Sequence, residues 1–155
     1  MEGNVISVER VVPAPPGAIF DILTDVTRHP EIDGSGALRN VKGEAPERLG
    51  KGSVFGMSMH LGVNYSMVNT VVEFEEDRRI AWRSGPRGIL GNLFAGRIWR
   101  YELEPVDGDT LVRESWDISH DHQRALLKLG KLPAHTRSNM EKTLARIEEL
   151  TARAA

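Results

Sequence analysis

The apolar residues change their periodicity three times along the chain, and the order of these changes limits the folds it can form. Residues 5–12 are β-branched and alternate imperfectly, which predicts a strand. Pro16 then opens a short helical pattern that runs to Val26. Segments with strand character follow up to residue 118, and from Asp121 onward only the helical period remains. This order favours an antiparallel sheet wrapped round a C-terminal helix, with a cavity between the two.

The middle of the chain contains six further segments of strand length, separated by polar or glycine-rich breaks. Their connections are too short for the crossover helices that parallel strands require, so the sheet is predicted to be antiparallel. Asp107-Gly108 is a typical hairpin turn between the last two segments. The predicted strands cover residues 37–42, 54–61, 65–75, 79–84, 97–104 and 110–118.

Two helical stretches are interrupted by proline. His29-Pro30 prevents the first helix from continuing, and a further helical turn or loop is expected through Ile32. Pro133 is expected to kink or divide the C-terminal helix. The apolar face of this C-terminal helix is predicted from helical spacing. Before Pro133 the face contains Leu126, Leu129 and Leu132, and after it the face contains Met140, Leu144, Ile147 and Thr151, with Leu150 at the edge. We expect Leu129, Met140, Leu144 and Ile147 to pack against the sheet.

Length and composition exclude several classes of protein. At 155 residues the chain has the size of one domain, which is predicted to cover 1–155. The absence of cysteine excludes disulfides, thiolate metal sites and cysteine nucleophiles. A net charge of −2 gives no overall attraction to nucleic acid or to an anionic membrane. No membrane span and no secretory signal are recognisable, so a cytoplasmic protein, monomer or homodimer, is expected.

A family resemblance rests on the order of several short motifs along nearly the whole chain. They are Val8-Glu9-Arg10, Pro13-Ala14-Pro15, Leu23-Thr24-Asp25, His29-Pro30, Gly50-Lys51-Gly52, Val71-Val72-Glu73-Phe74, Arg79-Ile80-Ala81-Trp82, Trp99-Arg100-Tyr101-Glu102-Leu103 and the closing helix. In these motifs the chain resembles the START-like helix-grip (SRPBCC) superfamily, in particular its polyketide cyclase/dehydrase branch.

This resemblance implies an α+β helix-grip fold. A curved antiparallel sheet of six or seven strands would wrap round a long C-terminal helix, with two short helices after the first strand. The resemblance also implies a hydrophobic ligand, such as a lipid, sterol or polyketide. No cofactor is expected. The superfamily includes enzymes and carriers, so the fold alone does not determine the activity.

Strand alternation predicts which side chains face the interior. Trp99 and Tyr101 share one face of their strand, and Glu114 lies between Val112 and Trp116 on an apolar face of the next strand. Burial raises the pKa of such a carboxyl group unless a cation such as Arg97 keeps it charged. Glu114 is therefore a candidate for acid/base chemistry, although an ion pair or a position at a wet rim would also explain it.

Further lining residues follow from the same alternation. Residues 65–75 offer two faces, and we favour the one with Tyr65 and Asn69 because it supplies two polar groups to a pocket. Trp82 is expected to face the core. The predicted ligand-binding residues are Tyr65, Asn69, Trp82, Trp99, Tyr101, Glu114, Trp116, Met140 and Leu144.

Other motifs give weaker functional signals. His60 is predicted to face solvent, and the sequence His120-Asp121-His122 lacks a distant third ligand for a metal, so Asp121 is interpreted as a helix cap. The segment 85–96 lacks the features of a phosphate-binding loop. Its apolar residues Ile89, Leu90, Leu93 and Phe94 suit a lid, a partner site or a loop folded on the core.

Three function classes remain compatible with these patterns. A module that binds a hydrophobic small molecule, as carrier or sensor, requires only a cavity and one or two polar groups, and it is the favoured interpretation. A cyclase or dehydrase would require convergent acid/base groups, of which Glu114 is the one predicted. A protein-interaction module would use the loop at 89–94 or the terminal helix.

Overall fold

The protein is a curled antiparallel sheet that holds a long helix on its concave face. The computed structural model describes residues 1–86 and 96–154. The strands are β1 (Val5–Val12), β2 (Leu38–Lys42), β3 (Val54–Leu61), β4 (Val63–Glu75), β5 (Arg79–Pro86), β6 (Arg97–Val106) and β7 (Asp109–Asp117). The helices are α1 (Pro16–Thr24), α2 (His29–Ile32), α3 (Arg124–Leu127) and α4 (Leu132–Ala154), and a 3₁₀ turn covers Val26–Arg28. The predicted fold class is confirmed.

The sheet has seven strands in the order β1-β7-β6-β5-β4-β3-β2, and all of its pairings are antiparallel. The N-terminal strand therefore lies beside the last strand of the chain. Asp107 and Gly108 connect β6 to β7 with φ angles of 50° and 86°. Two positive φ angles match the right-handed twist of the flanking strands, so the predicted hairpin turn is confirmed.

Helix α4 supplies the core residues that its helical spacing predicts. Met140, Leu144 and Ile147 are buried, Thr151 is buried on the same face, and Leu150 is half-buried. They meet Phe20 and other apolar side chains of α1 and the strands in one continuous core. The face predicted for this part of the helix is therefore confirmed.

The helical face predicted before Pro133 is wrong. Helix α3 ends after four residues, and Gly130 takes a φ of 65° before α4 begins at Leu132. Because the chain turns there, Leu126 and Leu129 are 63% and 64% exposed, and Leu129 does not pack against the sheet. Pro133 lies in the first turn of α4, where its missing N–H costs no hydrogen bond. The helix is therefore divided just before Pro133, between Leu127 and Leu132.

The end of α2 touches the backbone of α4 at Gly34. Its N–H donates to Thr143 Oγ1 over 3.0 Å. An added Cβ would overlap the carbonyl oxygen of Asn139 and would lie 2.8 Å from Thr143 N. Only glycine allows this approach, because the atoms in the way belong to the helix backbone and cannot rotate aside.

We expect Gly34→Ala to lower the free energy of unfolding by about 1–3 kcal/mol or more, because α2 must move away from α4. Urea denaturation of the variant measures this. Gly50→Ala is the matched control, since a Cβ there meets no atom within 4 Å. Equal stabilities of the two variants would show that the contact with α4 is not required.

The apolar residues Ile89, Leu90, Leu93 and Phe94 lie outside the described residues. Within the part of the chain that the structure describes, no helix is both long enough and apolar enough to cross a membrane.

Candidate ligand cavity

A cavity of about 340 Å³ lies between the concave face of the sheet and helices α2 and α4. This volume falls at the lower end of the range of small-molecule sites, about 300–1,000 Å³. The inward side chains of β3 supply much of the apolar wall, namely Phe55, Met57, Met59 and Leu61. Alternation places His60 on the opposite face, where it is exposed and forms a hydrogen bond with Asn64. His60 therefore faces solvent as predicted.

The tryptophans form a row across three strands of the cavity wall. Trp82 on β5 lies opposite Trp99 on β6, and Trp99 lies opposite Trp116 on β7. The rings of Trp99 and Trp116 have centroids 6.2 Å apart, and Trp82 lies 5.6 Å from Tyr101. All three indoles line the cavity, because residues in register on neighbouring strands point to the same face.

Glu114 and Tyr101 form a buried polar pair in the wall. They are register partners on β7 and β6, and the Tyr101 hydroxyl donates to Glu114 Oε1 over 3.0 Å. Glu114 Oε2 is buried and has no hydrogen-bond partner among the described residues. Burial raises the pKa of Glu114 to about 8, against a smaller lowering by the Tyr101 hydrogen bond, and the charge of Asp33 raises it further. The Glu114 carboxyl group is thus neutral at pH 7.

The suggestion that Arg97 pairs with Glu114 is wrong. Arg97 Nε instead donates to Asp121 Oδ2 over 3.0 Å, and its guanidinium also reaches Gln123 Oε1 at 3.4 Å. Asp121 is completely buried, so its carboxylate needs this cation. Arg97 lines the cavity but carries a charge that Asp121 already compensates.

Asp121 is also not the helix cap that the sequence predicted. Its Oδ1 accepts from Gln123 N over 2.7 Å and forms a tight turn, whereas α3 begins one residue later with no side-chain cap. The carboxylate positions Arg97 instead. Among the described residues, no three His, Cys, Asp or Glu side chains come together as metal ligands.

His29 is a lining residue that sequence reasoning missed, because His29-Pro30 was interpreted only as the end of a helix. The residue is buried, and its Nε2 lies 2.8 Å from the carbonyl oxygen of Leu23. Its ring stacks on Trp82 with centroids 5.1 Å apart. Burial lowers the pKa of His29 despite this hydrogen bond, which keeps the imidazole neutral at neutral pH.

A second hydrogen-bonded pair lies in the wall next to Arg97. Asn69 on β4 is the register partner of Ser84 on β5, and the Ser84 hydroxyl donates to Asn69 Oδ1. Both residues are buried and line the cavity, as does Tyr65 on the same face of β4. The favoured face of residues 65–75 is therefore the one that points into the cavity.

The structure brings eight of the nine predicted binding residues to one cavity. The exception is Leu144, which is buried in the core beside the cavity but does not line it. Polar lining residues that the sequence did not single out are His29, Asp33, Ser35, Ser84, His135, Thr136, Asn139 and Thr143. Those on α4 share a face with Met140 at helical spacing, a signal that could have identified them.

A family model described as polyketide cyclase/dehydrase and lipid transport matches residues 5–151. The chain belongs to this family. Among proteins of the family's fold, the crystal structure of Ms6760 from Mycobacterium smegmatis has a TM-score of 0.73 at 14% identity, and the match covers 97% of this chain and 92% of that one. DynU16, a protein of the dynemicin biosynthetic locus, has a TM-score of 0.66 at 15% identity, with 95% and 46% covered. The resemblance seen in the sequence motifs is confirmed.

A relative in sequence is the uncharacterized protein Rv0088 of Mycobacterium tuberculosis. It is 32% identical over 150 residues, which are 92% of this chain and 62% of that protein. The chain therefore spans about three fifths of the length of that relative.

Proposed function

We propose that the protein binds one hydrophobic small molecule of the lipid, sterol or polyketide type in this cavity, as a carrier or sensor. The observation that carries the proposal is an apolar, tryptophan-lined cavity in which Glu114 and His29 are neutral, Arg97 is ion-paired and Asp33 is hydrogen-bonded. The cytoplasmic location and the absence of a nucleic-acid partner favoured by the composition belong to the same proposal.

The charges at the wall support an uncharged ligand. Glu114 and His29 are both neutral at pH 7, and Arg97 is paired with Asp121. The Asp33 carboxylate accepts hydrogen bonds from Ser35 and from the backbone N–H of Leu38. An anionic ligand would meet no unpaired cation among these groups, and the Asp33 carboxylate already has hydrogen-bond donors; an ion of either sign would lose its hydration on entry.

One group in the wall is available to orient the ligand. A neutral Glu114 accepts from Tyr101 at Oε1 and can donate from its unpartnered Oε2, so it suits a carbonyl or hydroxyl oxygen. A ligand with one such oxygen on an apolar skeleton would satisfy the buried carboxyl group. We include this contact in the proposal.

A cyclase or dehydrase activity is the second candidate, and the same pair favours it. A buried carboxyl group that keeps its proton at neutral pH can act as a general acid towards a bound carbonyl. His29 does not form an acid/base couple with Glu114, since the described residues show no hydrogen bond between them: His29 Nε2 donates to the carbonyl of Leu23, and Glu114 is bonded to Tyr101. Binding without chemistry therefore remains the favoured function.

We expect tryptophan emission to change when the protein is titrated with uncharged lipids, sterols or aromatic polyketides, because all three indoles line the cavity. The melting temperature should rise with the same compounds, since a ligand that binds only the folded state stabilises it. A panel that changes neither emission nor melting temperature would contradict the proposal.

A matched pair of variants on α4 tests whether the ligand enters the cavity. Thr136 is buried and lines it, whereas Ser138 on the same helix is exposed. Thr136→Phe should fill part of the cavity and weaken binding, and Ser138→Phe should leave binding unchanged. Equal affinities of the two folded variants would place the ligand elsewhere.

A further inference from the structure

The opening of the cavity is marked by side chains that touch both the cavity and solvent. Leu61 and Leu132 line the cavity and are 68% and 42% exposed. Leu61 lies at the end of β3 and Leu132 at the start of α4, so the mouth is framed by the β3–β4 hairpin and the α3–α4 junction.

Further apolar side chains extend this opening outward. Val63 is the register partner of Leu61 and is 69% exposed, and Leu126 and Leu129 project from the α3–α4 junction. We call Leu61, Val63, Leu126, Leu129 and Leu132 the mouth rim. Exposed leucine and valine side chains concentrated round one opening are more than the scattered apolar residues of an ordinary surface.

The exposed charges at the α3–α4 junction, which forms one side of the mouth rim, are basic, whereas the Asp33 carboxylate of the cavity wall accepts hydrogen bonds from Ser35 and Leu38. Residues 122–132, which form this junction, contain Arg124, Lys128 and Lys131 and no acidic residue. Residues 54–72, which include the hairpin, contain no acidic residue. Lys128 and Lys131 form no ion pair with the acidic residues that the structure describes. The surface at the α3–α4 junction is therefore basic, although the whole chain has a net charge of −2.

Exposed leucines interleaved with unpaired lysines suit a surface that is anionic outside and apolar beneath. We propose that the mouth rim is a docking surface for the anionic face of a lipid bilayer. The lysines lie at the level of the headgroups, and the leucines enter the boundary between headgroups and acyl chains. The cavity then opens onto the bilayer, so an apolar molecule exchanges without crossing water.

An acidic partner protein would use the same lysines, but it does not account as well for the five exposed aliphatic side chains of the mouth rim. Tyr65, on the same face of β4 as Val63, also lines the cavity and is 38% exposed, and its apolar ring and polar hydroxyl suit the boundary between a membrane and water. Protein interfaces are enriched in aromatic residues at their buried centres. Fluid acyl chains, by contrast, accept aliphatic side chains without a shaped pocket.

The test is co-sedimentation of the full chain with vesicles. We expect binding to vesicles of phosphatidylglycerol mixed with phosphatidylcholine, weaker binding at high salt, and little binding to phosphatidylcholine alone. Vesicle binding does not require a molecule in the cavity, so this result and the titration of the cavity can fail independently.

Two double variants with the same change of charge identify the surface. Leu129→Ser with Lys131→Glu should weaken vesicle binding by about tenfold or more, because each lysine near an anionic surface contributes about 1 kcal/mol. Val54→Ser with Lys51→Glu is the control, since both residues are exposed and lie at the opposite end of β3 from Leu61. Its binding should remain at the wild-type level.

Both double variants change exposed residues, and unchanged melting temperatures would show that they fold. If the mouth variant were unfolded, Lys128→Glu alone would test the same surface. Failure of the wild-type protein to sediment with anionic vesicles overturns the proposal, as does equal binding to both kinds of vesicle or equal loss in the two double variants. Binding of an acidic protein to the mouth rim without vesicle binding also overturns it.

Discussion

Glu114→Gln is expected to remove most of the loss of stability that the wild-type protein shows as the pH rises from about 6.5 to 8. The folded-state pKa of Glu114 is about 8, well above its ordinary value of 4.5. Between these values the folded protein keeps the proton and the unfolded chain has released it. Unfolding therefore becomes easier as pH rises, at up to about 1.4 kcal/mol per pH unit, and the effect ends above the folded pKa.

The pH range and the control variant separate the contribution of Glu114 to stability from those of other titratable groups. His29 has a lowered pKa, so its contribution has the opposite sign and is lost as pH falls below its ordinary value of 6.5. Urea denaturation from pH 6.5 to 8.5 therefore reports mainly on Glu114. Glu104→Gln, at an exposed position on β6, should retain the wild-type pH dependence. Parallel pH profiles for wild type and Glu114→Gln would show that the carboxyl group is not held neutral.

The same variant separates the two candidate functions. In a carrier, Glu114→Gln preserves the shape and one donor, so the affinity for a neutral ligand should change little. In an enzyme that uses Glu114 as general acid, turnover should fall by about 10²- to 10⁴-fold while binding is retained.

Leu144→Ala is expected to lower the free energy of unfolding by about 2–5 kcal/mol, because the side chain is buried where α4 meets the core and its removal leaves a cavity. Leu144 is 1% exposed. Leu129→Ala is the matched control, since the same atoms are removed from a side chain that is 64% exposed, and its effect should stay within about 0.5 kcal/mol. Chemical denaturation of both variants measures the difference. A loss at Leu144 no larger than that at Leu129 would contradict the packing of α4.

Strand alternation predicted the cavity wall well because the side-chain period of a strand is two residues regardless of tertiary context. The orientations of Trp99, Tyr101, Glu114 and Trp116 followed from this rule once the strands had been identified. The helical rule succeeded for Met140 and Ile147, which lie within an uninterrupted helix. It failed for Leu126 and Leu129, because a spacing of three residues has meaning only where the helix continues, and Gly130 ends it.

Partnerships between distant residues were not predictable. Arg97 was assigned to Glu114 because both were expected near the cavity, but the choice among carboxylates depends on distances of a few ångströms. Asp121 lies 24 positions along the chain from Arg97 and is the carboxylate that the fold places within 3.0 Å. His29 was missed for the same reason, since its burial is created by Trp82 and Phe55 from distant strands.

The sequence by itself determined the order of elements, the antiparallel sheet, the family and the inward faces of β3, β5, β6 and β7, because local period, turn chemistry and proline positions act over a few residues. That residues 1–155 form a single domain stays a prediction. Only the tertiary structure decided that Glu114 pairs with Tyr101, that Arg97 is already compensated, that Leu144 lies outside the cavity and that exposed leucines frame its mouth. These features depend on the curl of the sheet round α4, which brings together residues that no local pattern connects.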